Sequence, residues 1–392
     1  MWEGKREHPR LILHDFISPE ECKELEFIHK SCSTVGYRPN VFSTTLSHLV
    51  ATNSPHLLIP FVSLRERLKE KIEETFGCEF ELFIEFTGLV SWCRGASIGW
   101  HSDDNRQYLK QRDFSAVCYL NSYGKDFKGG LFRFQSGEPA TISPSAGDVI
   151  MYTADDRNIH SVDEVTEGER LTLAMWFTRD SSHDEDSKLV SRLLSQCASH
   201  EFLPLPLPAS ANMYWFCPPH QHANGFDICV ARLHLLGFDV HSFLQGDDRS
   251  LDDSDRLVGP IQIAKGGEFL TREFTNVLHA LQVVQFYRWK ASELKTSKVG
   301  YDGVEEVVEA MSQSQLETIN AMNALFLKDK GLVTTTLGYL CSNGEEKDSL
   351  NLTGVSSAIT SWEEYTCKLL RELLSSLPQW ETYQTIHKVE SG

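Results

Sequence analysis

Residues 99–104 read Gly99-Trp100-His101-Ser102-Asp103-Asp104, and residues 157–160 read Arg157-Asn158-Ile159-His160. In an extended strand, residues two apart point to the same side, so His101 and Asp103 can reach one ion while Ser102 faces away. Asp104 is the poorer ligand candidate for the same reason. Two imidazoles and one carboxylate leave three positions of a divalent iron open, which suits a chelating cosubstrate together with O2. The spacing therefore predicts a metal site of the kind that oxygenases use.

Short apolar runs, separated by turn residues, fill the segment that follows this pair. The runs cover residues 114–120, 131–134, 149–152 and 170–178, with glycines at 129 and 130 and a turn at 144–148 between them. They are rich in strand-forming residues. Strands of this length and density predict an antiparallel sandwich or barrel rather than a parallel sheet with helical crossovers.

Helix signals flank the strands, so the predicted fold class is α+β. Ser18, Pro19 and Glu21 form the start signal of a helix over about residues 19–31. A second helix, about 61–76, carries an apolar stripe and ends at Gly77. A short helix to about residue 198 follows an acidic stretch. It precedes a linker that contains Pro204, Pro206 and Pro208.

Three parts are predicted along the chain: a catalytic domain over 1–180, a helix and proline-rich linker over 181–209, and a mainly α-helical region over 210–392. Apolar residues recur at helical spacing in the segments 277–287, 307–316 and 362–374. Cysteines and histidines between 217 and 229 are zinc-compatible in type, but their spacing lacks paired ligands and favours a surface loop. For the C-terminal region three alternatives stay open: it binds a protein partner, recruits substrate or covers the back of the catalytic domain.

Composition limits the class of partner. The chain of 392 residues has a net charge of −18 and a pI near 5.3. This balance argues against nucleic acid or an anionic membrane as the main partner, because phosphate binding needs a basic surface. A polypeptide or a small molecule fits better. The ten cysteines show no paired framework. Because no signal peptide or transmembrane run is apparent, we expect a cytoplasmic or nuclear location.

Several motifs together resemble a known family. They are His101-Ser102-Asp103, Tyr119-Leu120-Asn121, Gly129-Gly130-Leu131-Phe132, Pro144-Ser145-Ala146-Gly147-Asp148, and His160 with Arg170 and Trp176. They resemble the Fe(II)/2-oxoglutarate-dependent dioxygenase superfamily, in particular the catalytic domain of prolyl 4-hydroxylase. The resemblance covers about residues 8–180.

This resemblance implies a double-stranded β-helix, or jelly roll, in which His101, Asp103 and His160 hold Fe(II). It also implies that Arg170 binds the distal carboxylate of 2-oxoglutarate, which suits a guanidinium fork. Thr172 lies on the same strand face and is either a second hydroxyl donor to that carboxylate or an ordinary inward-facing threonine. Succinate and CO2 are the implied coproducts, with O2 as oxidant and ascorbate as a reductant by family analogy.

The chain departs from the family pattern at two positions. Many prolyl hydroxylases have lysine where this chain has Arg170. Trp92 stands where the family often has a tyrosine that helps to bind the cosubstrate, and an indole donates a hydrogen bond but accepts none. The contacts of the cosubstrate with that wall, and proline as the substrate, are therefore open questions.

Three functions fit the sequence. The first is a hydroxylase of a protein side chain, prolyl or another; the second is the same chemistry on a small metabolite; the third is a noncatalytic jelly roll that acts as a binding module. The loop after the metal pair contains Arg106, Tyr108 and Lys110. That loop is either a cover for a peptide substrate or a solvated connection.

Overall fold

The computed structural model describes residues 7–35, 38, 40–51, 54–198, 282, 285, 286, 289, 290 and 352–389. Several expectations fall outside these residues: the linker prolines at 204, 206 and 208, the apolar positions 277, 278, 281, 284 and 287, the segment 307–316, and the loop 217–229. The proposed division of the chain at residues 180 and 209 stays a prediction.

The two helices predicted on the N-terminal side begin and end close to the signals in the sequence. The helices are α1 (Pro19–Cys32), α2 (Leu46–Ala51), α3 (Ile59–Phe76), α4 (Glu185–Ala198) and α5 (Leu352–Tyr383). At the start of α1, the Ser18 hydroxyl accepts from the Glu21 amide, and the Glu21 carboxylate accepts from the Ser18 amide. Helix α3 ends at Gly77, whose φ of 61° is left-handed. Both predicted N-terminal helices are thus confirmed, and α5 contains the helix predicted from Trp362.

The strands form two antiparallel sheets. They are β1 (Arg10–Leu13), β2 (Thr34–Val35), β3 (Val41–Thr45), β4 (Phe83–Cys93), β5 (Ile98–His101), β6 (Arg112–Tyr119), β7 (Phe127–Gly129), β8 (Phe132–Phe134), β9 (Thr141–Ile142), β10 (Val149–Thr153), β11 (His160–Val162) and β12 (Val165–Thr178). The large sheet has the order β1-β10-β6-β12-β4-β3-β2, with β7 paired to β12, and the small sheet has the order β5-β11-β8-β9. The predicted antiparallel, sheet-rich core with flanking helices is therefore confirmed.

Side chains along the strands of the large sheet point alternately into two hydrophobic cores, one on each face of the sheet. In β6, Ala116 and Cys118 pack with the helices, whereas Val117 and Tyr119 pack toward the small sheet. Strand β10 alternates in the same way, with Val149 and Met151 on the helix side and Ile150 and Tyr152 on the other. Because successive side chains of a strand point to opposite faces, the large sheet is buried on both sides. The inner face, toward the small sheet, is the one that lines the site.

The end of the chain packs against the same helical core. Leu373, Leu377 and Trp380 of α5 are buried in the core cluster that also contains α1 and α3 residues. Beyond the helix, the Ile386 amide donates to the Asp186 carboxylate over 2.9 Å. None of the helices that the structure describes is long and apolar enough to cross a membrane.

A buried ionic cluster joins α3 to the start of α4. Arg65 is 1% exposed and its guanidinium donates to Thr87, Glu185 and Asp186. Burial raises the pKa of Glu185 to about 7, and the charge of Arg65 opposes that rise. Since Asp186 also accepts from the Ile386 amide, the cluster connects four separate parts of the chain: α3, β4, α4 and the segment after α5.

We expect Arg65→Met to lower the free energy of unfolding by about 3–5 kcal/mol, because it leaves two buried carboxylates without their cation. The measurement is urea denaturation followed by circular dichroism. Arg67→Met is the matched control, since the Arg67–Glu21 pair is 43% and 30% exposed and such pairs contribute about 0–1 kcal/mol. Equal losses in the two variants would contradict a stabilising role of the buried cluster.

Candidate metal and cosubstrate site

The strand pairing brings the two histidines together. His101 is the last residue of β5 and His160 the first residue of β11, and the two are direct partners in the antiparallel register. Asp103 lies in the turn just after β5 rather than in the strand. The turn nevertheless directs its carboxylate to the side on which the histidines lie. All three predicted metal ligands therefore meet at one end of the two sheets.

The distances within this triad suit a single ion. Asp103 Oδ1 lies 3.9 Å from His101 Nε2 and 3.8 Å from His160 Nε2. Two metal–ligand bonds of about 2.1 Å span up to about 4.2 Å, so both separations can be bridged by one cation. Among the residues that the structure describes, this is the group of histidine, cysteine and carboxylate side chains whose ligand atoms converge in this way.

Both imidazoles are held in the tautomer that binds a metal through Nε2. His101 Nδ1 lies 2.8 Å from the Gly99 carbonyl oxygen, and His160 Nδ1 lies 2.9 Å from the Asn158 carbonyl oxygen. A carbonyl oxygen only accepts, so each Nδ1 carries the proton and each Nε2 keeps its lone pair. Burial lowers the pKa of His160, and the Asp103 charge opposes this only in part. The neutral form, which metal binding requires, is therefore favoured.

The Asp103 carboxylate uses its two oxygens differently. Oδ2 accepts hydrogen bonds from the Ser115 and Tyr152 hydroxyls, whereas Oδ1 faces the two histidines. Burial raises the pKa of Asp103, but the neighbouring His160 imidazole and the hydrogen bonds from Ser115 and Tyr152 outweigh burial, and the pKa lies below its usual value. Asp103 is thus an anion at neutral pH. The carboxylate of neighbouring Asp104 instead accepts hydrogen bonds from Ser102 and Lys110.

Arg170 lies on β12 and is 2% exposed. One of its terminal nitrogens donates to the Tyr119 hydroxyl over 3.1 Å, but its Nε is buried with no hydrogen-bond partner. Tyr119 belongs to the same core cluster as Phe132 and Tyr152, whose rings contact His160, so the guanidinium lies on the side of the sheet that faces the triad. A buried charged donor without a partner is costly. An anionic ligand beside the metal position would remove that cost.

Two further predicted residues line the same wall. Thr172 follows Arg170 on the inward face of β12, and its hydroxyl donates to the Val90 carbonyl over 3.3 Å. That hydroxyl is already paired, as expected of an ordinary strand threonine, and its contact with a cosubstrate stays a prediction. Trp92 is the register partner of Arg170, with its ring centre 5.9 Å from the guanidinium carbon. The indole therefore forms part of the wall beside the guanidinium.

The donor set fits the cofactors that the sequence predicts. Two neutral imidazoles and one carboxylate are the ligands of non-haem iron(II) sites with open positions. The unsatisfied Arg170 Nε fits a carboxylate, which pairs with two guanidinium nitrogens at once. Fe(II) and a dicarboxylate cosubstrate such as 2-oxoglutarate are therefore compatible with the side chains at this site.

Sequence reasoning missed three residues at the site. The Ser115 and Tyr152 hydroxyls donate hydrogen bonds to Asp103, and the Tyr119 hydroxyl accepts one from Arg170, but no sequence motif indicates these roles. The available signal was strand alternation, because Ser115, Val117 and Tyr119 recur at a spacing of two on one face. That pattern gives the direction of a side chain but not its partner.

The polar loop after the triad is exposed. Tyr108 is 74% exposed and Trp100, which precedes His101, is 53% exposed. Lys110 bonds to Asp104 over 2.7 Å and so ties the loop to the turn that carries Asp103. Exposed aromatic side chains at the rim are compatible with both interpretations of this loop, as a substrate cover and as a solvated connection.

Known proteins resemble this chain over the part that builds the site. Residues 88–178 match the model of the 2OG-Fe(II) oxygenase superfamily. Prolyl 3-hydroxylase 1 of Gallus gallus is 28% identical over 226 residues, which are 46% of this chain and 30% of that protein. Prolyl 3-hydroxylase 2 of Homo sapiens is 28% identical over 221 residues, which are 45% and 30% of the respective chains. This chain thus spans about 30% of the length of these relatives.

Solved structures of prolyl hydroxylases also align with part of this chain. A prolyl-4-hydroxylase of Pseudomonas putida has a TM-score of 0.36 and 16% identity, and the match covers 44% of this chain and 94% of that one. A prolyl hydroxylase from Trichoplax adhaerens, in complex with a hypoxia inducible factor oxygen degradation domain peptide fragment, has a TM-score of 0.34 and 14% identity. That match covers 48% of this chain and 87% of the other.

The region 88–178 contains His101, Asp103, His160 and Arg170, so the matched part and the candidate site coincide. The expected resemblance to the Fe(II)/2-oxoglutarate dioxygenase superfamily is therefore confirmed, and residues 88–178 are the part of the chain that carries the 2OG-Fe(II) oxygenase pattern.

Proposed function

We propose that this protein is an Fe(II)- and 2-oxoglutarate-dependent dioxygenase that hydroxylates a side chain of a polypeptide, with proline as the leading candidate. The observation that carries the proposal is the convergence of His101, Asp103 and His160 beside a buried arginine with an unsatisfied nitrogen. A noncatalytic binding module would have no need of this combination. The double-stranded β-helix is the fold we propose for the two sheets.

His101, Asp103 and His160 would hold the iron through Nε2, Oδ1 and Nε2. Iron bound in this way, with 2-oxoglutarate and O2, supplies the oxidative decarboxylation that yields succinate and CO2 and the hydroxylation of a C–H bond. The protein contributes position and electrostatics. Hydrogen bonds from His101 Nδ1 to the Gly99 carbonyl and from His160 Nδ1 to the Asn158 carbonyl orient the imidazoles before any ion binds.

Arg170 and Tyr119 would bind the distal carboxylate of the cosubstrate. The Tyr119 hydroxyl accepts from Arg170, so its own proton is available for a carboxylate that Arg170 also contacts. Burial raises the pKa of Tyr119, and the Arg170 charge opposes this only in part, so the phenol remains a donor. Thr172 is proposed as an additional contact, and Trp92 as a wall of the same pocket.

Aromatic side chains pack around His160 and help to bury this end of the sheets, where Arg170 is 2% exposed. The ring of Phe132 stacks on the His160 imidazole with 4.7 Å between ring centres. The ring of Tyr152 packs edge-on to the same imidazole, with 5.0 Å between centres. Water exclusion strengthens the interaction of Arg170 with an anion, because charges attract more strongly in a low dielectric. It also protects the oxidising chemistry from side reactions.

The substrate class rests on the relatives that the chain resembles. Those relatives are prolyl 3-hydroxylases, whereas the sequence motifs led us to expect a prolyl 4-hydroxylase type, so the hydroxylated carbon is part of the question. We also propose ascorbate as a reductant and a cytoplasmic or nuclear location for the protein. A protein partner for the C-terminal region is a further proposal.

Asp103→Asn should lower the rate of Fe(II)-dependent succinate formation from 2-oxoglutarate by about 100-fold or more, because a neutral amide is a poor ligand for a hard cation. Asp104→Asn is the matched control, since Asp104 is adjacent but bonds to Lys110 instead. The measurement is succinate release and metal content after anaerobic loading. If Asp103→Asn kept its iron and its turnover, the assignment of the triad would be wrong.

Arg170→Lys should raise the KM for 2-oxoglutarate by about 10- to 100-fold and leave Fe(II) affinity nearly unchanged, because lysine keeps the charge but loses the bidentate fork. Arg133→Lys is the control, since Arg133 pairs with Asp163 at a half-exposed surface site. Steady-state kinetics with varied 2-oxoglutarate gives the result. An unchanged KM in Arg170→Lys would show that the cosubstrate carboxylate binds elsewhere.

A proline-containing peptide library incubated with protein, Fe(II), 2-oxoglutarate and ascorbate should gain one oxygen on proline, detected by tandem mass spectrometry. Omission of 2-oxoglutarate and the Asp103→Asn variant are the controls. Fragment ions distinguish oxygen on proline from oxygen on other residues, and reference 3- and 4-hydroxyproline identify the carbon. If metabolites rather than peptides stimulated succinate release, the second candidate function, hydroxylation of a small molecule, would replace this one.

A further inference from the structure

Tyr152 occupies an unusual position for a buried tyrosine. It lies on β10, is 1% exposed and points from the large sheet toward the small one. Its ring packs edge-on to His160, 5.0 Å between centres, and also contacts Phe132 and Phe134. The ring is therefore part of the inner core, and its hydroxyl is the group that needs an explanation.

The hydroxyl lies at the edge of the triad. It is 2.9 Å from Asp103 Oδ2 and 3.4 Å from His160 Nε2. A carboxylate oxygen only accepts, so the phenolic hydroxyl is the donor to Asp103 Oδ2. The Ser115 hydroxyl donates to the same carboxylate oxygen. Two donors from two neighbouring strands thus converge on Oδ2 alone.

This arrangement affects how many bonds Asp103 can form to a cation. A carboxylate binds a metal through one oxygen or through both. Here Oδ2 is engaged by two hydroxyls, while Oδ1 faces both imidazoles at 3.8 Å and 3.9 Å. One oxygen and two imidazole nitrogens leave three of six positions open, whereas a chelating carboxylate would leave two. A bidentate cosubstrate and O2 together need three.

We propose that Tyr152 and Ser115 are positioning residues that restrain Asp103 to a single metal bond. The inference rests on the proposed function, since it concerns the same metal site. It goes further, because it assigns a role to two hydroxyls on strands that contribute no metal ligand. The role requires the hydroxyl of Tyr152, not only its ring.

Tyr152→Phe and Ser115→Ala each remove one donor and leave the metal ligands in place. Tyr365→Phe is the matched control, because the Tyr365 hydroxyl also donates to a carboxylate, Glu24, over 2.8 Å, but at a half-buried position in the helical layer. The probe is Co(II) alone, added to metal-free protein. Its affinity is measured by competition with a chelator, and its coordination by the visible absorption spectrum.

We expect each of the two site variants to bind Co(II) about tenfold more weakly, in line with the loss of other outer-shell hydrogen bonds. The Co(II) spectrum should also change in both, because the freed oxygen alters the coordination. Tyr365→Phe should match the wild type in affinity and spectrum. A tyrosine that only stabilised the fold would lower the unfolding temperature of the metal-free protein without changing the Co(II) spectrum.

Wild-type affinity and an unchanged spectrum in Tyr152→Phe would overturn this inference and leave the proposed function intact. Should that variant fail to fold, Ser115→Ala decides in the same way, since its hydroxyl donates to the same oxygen. Absence of Co(II) binding by the wild-type protein would overturn both the inference and the proposed function.

Discussion

The pairing of β11 with β5 is the constraint on which the site depends. It places His160 directly opposite His101, and opposed residues in antiparallel strands have their side chains on one face at short range. A slip of one residue would turn His160 to the other face. Strand β8 holds β11 from its other side, with Phe134 opposite His160, so the register is fixed from both edges. The Asp103 turn and the Tyr152 hydroxyl act on a pair that is already aligned.

Local signals were enough to predict much of this molecule. The capping residues of α1 and the glycine that ends α3 predict where those helices begin and end, because a cap acts within one turn. Apolar runs separated by turn residues predict the antiparallel sheets. His101, Asp103 and His160 could be chosen because few residue types bind iron, whereas the role of Arg170 came from the resemblance to the dioxygenase superfamily.

Contacts between distant residues were not predictable in the same way. Tyr152 lies 49 residues from Asp103, and Arg65 lies 121 residues from Asp186. Each reads as an ordinary strand or helix position, and its partner becomes apparent only when strand order and register are known. Asp103 itself was expected in an extended segment and lies in a turn instead. Local periodicity gives the direction of a side chain, but tertiary packing determines what it contacts.

Helices α4 and α5 pack on one core although residues 199–351 lie between them in the chain. During synthesis, the apolar surface that receives Leu373, Leu377 and Trp380 emerges from the ribosome long before those residues do. At roughly 5–20 residues per second, the delay is on the order of 10–40 s. For that interval the part of the core that Leu373, Leu377 and Trp380 cover in the folded protein lacks these residues, so this face cannot reach its final packing until α5 has been made.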